Sequence, residues 1–130
     1  MSQWTHVCGC IRFDSLNLGS DVKPPELGTI VNYGDPYTRW HPGEIPRGSE
    51  GSLKHHTWVN PDKESLAAYT VMIWGDLRDY SDPEQIMDYF KRITKGWMIR
   101  AGIVEIEVEF RERMIYAYSR EKERWILESV

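Results

Sequence analysis

The sequence has no run of about 18 apolar residues, so it holds no candidate membrane-spanning helix, and Met1-Ser2-Gln3-Trp4-Thr5 lacks the basic start and apolar stretch of a signal peptide. A chain that stays in the compartment where it is made is expected. Cysteine is scarce: Cys8 and Cys10 are the two in 130 residues, too few for the disulfide framework of a small secreted domain, which points to a reducing cytoplasm. Positive charge is also in deficit. Sixteen Lys and Arg face 20 Asp and Glu, a formal net charge of -4, and that balance disfavours unselective binding to nucleic acid. Spacings that carry chemistry are missing too, including Cys-x-x-Cys, His-Glu-x-x-His, Gly-x-Ser-x-Gly and a phosphate loop ending in Gly-Lys-Ser/Thr.

What is present fits one domain spanning 1–130, since 41% hydrophobic and 28% charged residues are ordinary values for a folded core of this size. From Trp4 to Phe13, Val7, Gly9, Ile11 and Phe13 alternate with His6, Cys8, Cys10 and Arg12. This is the period of a strand. Small or apolar residues on both sides predict a central strand with at least partial cover on either face, with Cys8 and Cys10 as small buried hydrophobes.

Residues 14–50 hold five of the ten glycines and five of the seven prolines, a density that no long helix or central strand survives. Apolar side chains from Leu16 to Ile45 predict a long irregular but ordered wrap, with one helical turn near Pro25 to Thr29. The segments 52–59 and 66–77 then read as the arms of a hairpin turning through Asn60-Pro61-Asp62. In the second arm Tyr69, Val71, Ile73 and Gly75 share one face and Thr70, Met72 and Trp74 the other, again predicting cover on both sides.

Ser81-Asp82-Pro83-Glu84 has the form of a capping box. It predicts a helix over about 82–95, with Ile86, Tyr89, Phe90 and Ile93 as its buried stripe and Gly96 as its end. Arg100 to Phe110 alternates, Val104, Ile106, Val108 and Phe110 inward and Glu105, Glu107 and Glu109 outward. Met114 to Ser119 predicts a strand pairing back on it. The tail 121–130 reads equally as a strand or a helical turn. In order, this is an α+β chain with a ferredoxin-like antiparallel sheet, its first crossover helix replaced by the Gly/Pro-rich segment and one strand added at the C-terminal end.

The densest group of polar, aromatic and flexible residues is Arg39, Trp40 and His41 with Arg47, Gly48, Ser49, Glu50, Gly51 and Ser52, followed by His55 and Trp58. Glycines let backbone amides approach an anion, an arginine supplies a fork, and tryptophan supplies a stacking surface. The same loop read blandly only turns the chain into the hairpin. His55 and His56 are adjacent and point to opposite strand faces, so they cannot grip one metal together; neither a metal nor another cofactor is expected. Asp76, Asp79 and Asp82 beside Arg78 suit either a metal-dependent nuclease or a polar strand-to-helix loop. Lys91, Arg92, Lys95 and Arg100 form a small basic group. Six tryptophans and seven tyrosines exceed what such a core conceals, so outward rings that anchor a protein partner, or a second copy of the chain, are expected.

The opening Trp4-Thr5-His6-Val7, the loop Gly48-Ser49-Glu50-Gly51-Ser52-Leu53 and the turn Gly75-Asp76-Leu77-Arg78-Asp79-Tyr80 resemble small accessory proteins encoded by bacteriophages and prophages of Gram-positive bacteria, a group with no named activity. That resemblance implies a non-catalytic inhibitor in the host cytoplasm, an antagonist of bacterial defence of the anti-CRISPR kind that occupies a protein partner. Two other readings stand beside it: a sponge for a small anionic nucleotide, and a small hydrolase or nuclease.

Overall fold

The structure is a computed structural model that describes residues 2–16, 27, 29–30, 44–61 and 66–129. Its strands are β1 (Trp4–Leu16), β2 (Thr29–Ile30), β3 (Glu44–Ile45), β4 (Lys54–Pro61), β5 (Leu66–Arg78), β6 (Met98–Val108), β7 (Glu112–Ser119) and β8 (Arg124–Ser129), with the helix α1 (Pro83–Ile93) between β5 and β6. Among the described residues no helix is long and apolar enough to cross a membrane.

Six strands form one antiparallel sheet in the order β4-β5-β1-β6-β7-β8, and β2 and β3 make a two-residue parallel pair of their own. β1 and β5 pair along all thirteen residues, from Trp4 opposite Arg78 to Leu16 opposite Leu66. On its other edge β1 pairs with β6, with a bulge between Arg12 and Phe13. The ferredoxin-like layout with crossover helices is therefore overturned. Trp125 and Ile126 draw the charged tail into β8 against Tyr118 and Ala117, which widens the sheet beyond β6 by two strands. α1 is the one helix among the described residues.

α1 starts one residue later than the capping box suggested, because the Asp82 carboxylate, not the Ser81 hydroxyl, accepts the Gln85 amide hydrogen bond at 3.2 Å. Pro83 occupies the first turn, where its missing N–H costs nothing. Ile86, Met87, Tyr89 and Phe90 are buried, and they lie over Val7, Gly9 and Ile11 of β1, Val71 and Ile73 of β5 and Val104 and Ile106 of β6. Gly9 makes room for this: a Cβ there would sit 2.7 Å from the Phe90 ring. Leu27, Ile45 and Leu53 complete the core, and Tyr89 Oη donates to the Leu27 carbonyl at 2.9 Å.

Other expectations change with the topology. β1 and β5 are interior strands as expected, but burial on both sides of β5 is not found among the described residues: α1 lies on one side, while on the other Cys10, Thr70 and Met72 are half-buried and Cys8, Arg12 and Trp74 are exposed. Cys8 and Cys10 share a strand face as predicted, but Cys8 is exposed and Cys10 half-buried, so they are not core hydrophobes. Phe110 does not point inward. It occupies the β6–β7 turn at φ 64° and is 81% exposed. Most of the 14–50 wrap, including Pro25, Glu26 and Gly28 of its helical turn, lies outside the described residues; residues 14–16 extend β1, and Thr29–Ile30 form β2.

Candidate functional site

Strand alternation turns the even-numbered residues of β4, β5 and β1, the odd-numbered residues of β6 from Ala101 onward and those of β7 away from α1, whereas the bulge puts Ile99 beside Phe13 on the α1 side. The register then lines these residues up across the sheet. One row runs Lys54, Trp74, Cys8, Glu105 and Ile115; the next runs His56, Met72, Cys10, Ile103, Ala117 and Ile126. Trp58, Thr70, Arg12 and Ala101 follow. The second row is nearly all apolar, and it crosses all six strands. With neighbouring strands about 4.8 Å apart, the face is roughly 24 Å wide.

Large apolar side chains on this face meet water. Trp58 is 52% exposed, Trp74 40% and Ile103 52%. The His56 ring stands edge-on to Trp58 with centroids 4.3 Å apart, which holds that indole upright on the edge strand. Charged groups lie among these side chains and at the border, Glu105 and Arg12 within the rows themselves. Arg113 Nε reaches Glu105 Oε1 at 2.7 Å and Arg100 lies 3.7 Å from Asp14. Exposed aromatic and aliphatic side chains interspersed with charge are features of a protein interface.

At one margin His6 is gripped from both sides. Nδ1 lies 2.5 Å from Asp76 Oδ1 and Nε2 3.4 Å from Glu109 Oε2, while Glu109 Oε1 accepts the Trp4 amide hydrogen bond at 3.0 Å. The hydrogen bond to Asp76 raises the His6 pKa, partial burial opposes it, and Glu109 adds to the rise. The imidazolium is a clamp between β1, β5 and the end of β6. Both ring nitrogens face carboxylates, so the side chain ties β1 to β5 and to the residue that follows β6.

The loop 48–52 is a strap tied to the end of β5. Gly48 N–H donates to Gly51 O at 2.9 Å, Ser49 N–H to Arg78 O at 2.9 Å, and Arg78 N–H to Glu50 O at 3.0 Å. Side chains repeat the tie: Arg78 Nη1 meets Glu50 Oε1 at 2.5 Å and Ser49 Oγ donates to Asp79 Oδ2 at 2.6 Å, while the backbones of Arg47 and Ser52 form an isolated antiparallel bridge. The amides of Gly48 and Ser49 are thus engaged within the chain.

The structure does not bring the predicted group together. Arg39, Trp40 and His41 lie outside the described residues. Trp58 pairs with Thr70, eight residues along β5 from the Arg78 that holds the strap, a separation of about 25 Å. His55, opposite Ile73, and His56, opposite Met72, fall on opposite sides of β4, as predicted. The three acids of the nuclease reading have separate duties: Asp76 binds His6, Asp79 binds Ser49 and Asp82 caps α1. Among the described residues no group of three His, Cys, Asp or Glu is placed to hold a metal ion.

Trp74 was missed as a surface residue because its apolar character read as burial, and Ile103 was not singled out. The surplus of large rings was the signal that some of them face out. No family model, curated protein or solved structure matches the chain.

Proposed function

We propose that the protein is a non-catalytic binding module that engages a protein partner through the face of the sheet opposite α1. The exposure of Trp58, Trp74 and Ile103 on one continuous strand surface carries this reading. Tryptophan anchors supply much of the energy in protein interfaces, and the three rows span about 24 Å across the strands and about 14 Å along them. A bacterial defence protein as the partner is supported by the sequence resemblance alone.

The experiment is an affinity capture from bacterial lysate with the native chain and a Trp74→Ala/Ile103→Lys variant. Both positions are solvent-exposed, so the variant keeps its fold, as unfolding curves will show. The native chain retains a protein in stoichiometric amount that the variant loses by at least about tenfold. Equal retention by both sinks the sheet-face reading.

A further inference from the structure

On the side of the sheet that carries α1, the C-terminal end of the helix, the start of β6 and the β7–β8 hairpin enclose a cleft of about 650 Å³. That volume suits a single small molecule. The floor is built and fixed. Trp125, 9% exposed, donates Nε1–H to Thr94 Oγ1 at 3.3 Å, Thr94 Oγ1–H donates to the Phe90 carbonyl at 2.6 Å, and Tyr118 stands edge-on to Trp125 with centroids 5.6 Å apart. Gly102 lies against the same indole, where a Cβ would come within 2.6 Å of the ring.

One wall is Trp97. It stacks on Phe13 at 4.1 Å, and Phe13 stacks on Tyr69 at 4.9 Å. The column of three rings ends at Trp97, which lines both this cleft and an adjoining hollow of about 510 Å³.

Five cations, Lys91, Lys95, Arg100, Arg120 and Arg124, line the two hollows against the carboxylates of Asp14 and Glu123. Among the described residues, Lys91, Lys95, Arg120 and Arg124 have no ion-pair partner. Complementing the helix dipole accounts for Lys91 and Lys95. It does not account for Arg120 and Arg124, which come from another hairpin, nor for an aromatic cleft between them. In a chain of net charge -4, unpaired positive charge converging on ring surfaces is a local arrangement that an anion with a flat body would satisfy.

We infer that this cleft binds a free nucleotide, the base stacking as a fourth ring on Trp97 and the phosphate held by Lys95, Arg124 and Lys91. Stacking on an indole tolerates any base, and charge-assisted bonds to phosphate add affinity that falls with salt. A polynucleotide is disfavoured because the chain carries a net charge of -4 and Asp14 and Glu123 lie in the hollows themselves. The site stands independently of the sheet-face reading, since it lies on the other side of the sheet.

Calorimetric titration of the full chain with AMP, GMP, CMP and UMP, beside the matching nucleosides and inorganic phosphate, tests the inference. At least one monophosphate binds with Kd below about 1 mM, and about tenfold or more tighter than its nucleoside and than phosphate. A Lys95→Glu/Arg124→Glu variant alters two exposed side chains; it keeps the unfolding midpoint and loses at least about tenfold in affinity, as does Trp97→Ala. Absence of binding by all four, equal binding of nucleoside and nucleotide, or undiminished affinity in the charge-reversed variant overturns it. So does a four-nucleotide single strand that binds more than about tenfold tighter than the best monophosphate.

Discussion

The Nδ1 atom of His6 lies 2.5 Å from Asp76 Oδ1, although the two residues are 70 positions apart in the chain. The pair joins β1 to β5 directly across their register. Because Asp76, and then Glu109, favour the imidazolium, the folded pKa of His6 is raised above its unfolded value of about 6.5. Its contribution to stability is complete below that unfolded value and is lost as pH rises through the folded pKa. The ring and the Asp76 carboxylate are exposed enough for solvent to screen them, so the effect stays below about 1 kcal/mol. An NMR titration of the His6 ring shows a midpoint above the ordinary histidine range, and Asp76→Asn lowers it. Urea unfolding separates the native chain from His6→Gln at pH 6 and brings the two together at high pH. A His6 midpoint at or below the ordinary value contradicts the clamp.

The start of α1 distinguishes two neighbours. Asp82 accepts the Gln85 amide hydrogen bond, so Asp82→Ala removes the cap and costs about 1 kcal/mol. Ser81→Ala changes stability by less than about 0.5 kcal/mol, as is usual for an exposed position with no such role. Chemical denaturation of the two variants measures both. A larger loss at Ser81 than at Asp82 would restore the capping box as the true start.

Much of the scaffold was legible because its signals are local. The stripe Ile86, Tyr89, Phe90 and Ile93 fixed α1, and the run Val104, Ile106 and Val108 against Glu105 and Glu107 fixed both the strand and its faces. Period two identifies which residues share a face, but not whether another element covers it. Cys8, Cys10, Met72 and Trp74 form an apolar set either way, and the register that lines them up beside Ile103 is set by strands far apart in sequence. β8 escaped for a related reason: Trp125 and Ile126 sit among charges, and pairing with Tyr118 and Ala117 decides their form. The loop 48–52 read either as a turn into the hairpin or as an anion cradle, and the Arg78 that consumes its bonding capacity lies about 30 residues away.

The strap at 48–52 leaves no space for a side chain at its first glycine. A Cβ on Gly48 would lie 2.5 Å from both the nitrogen and the oxygen of Arg78, backbone atoms that cannot swing aside. Gly48→Ala therefore forces the strap from the end of β5, at a cost of about 1–3 kcal/mol. Gly96→Ala is the contrast, since nothing lies within 4 Å of its Cβ and the cost there arises from its φ of +84° alone. Hydrogen exchange locates the first effect: amides of Ser49 and Arg78 lose protection in Gly48→Ala and keep it in Gly96→Ala. Unchanged protection of Ser49 in Gly48→Ala would show that the strap is not tied to β5.

Cys8 and Cys10 provide a chemical readout of the open face, because they occupy adjacent rows and differ in access. Cys8 is exposed and sits opposite Trp74 on one side and Glu105 on the other. Cys10 is half-buried; burial pushes its thiol pKa up, the neighbouring Cys8 adds to the rise, and Arg12 opposes it. Thiolate is the reactive form. Iodoacetamide at pH 8 therefore alkylates the native protein in two phases, Cys8 first and Cys10 at least about threefold slower, and Cys8→Ser removes the fast phase alone. Attaching a bulky label to Cys8 places it beside Trp74 and blocks the captured partner from binding, whereas the bound partner shields Cys8 from the label. If neither thiol reacts before the chain unfolds, this side of the sheet is covered, and the proposed interface loses the surface on which it depends.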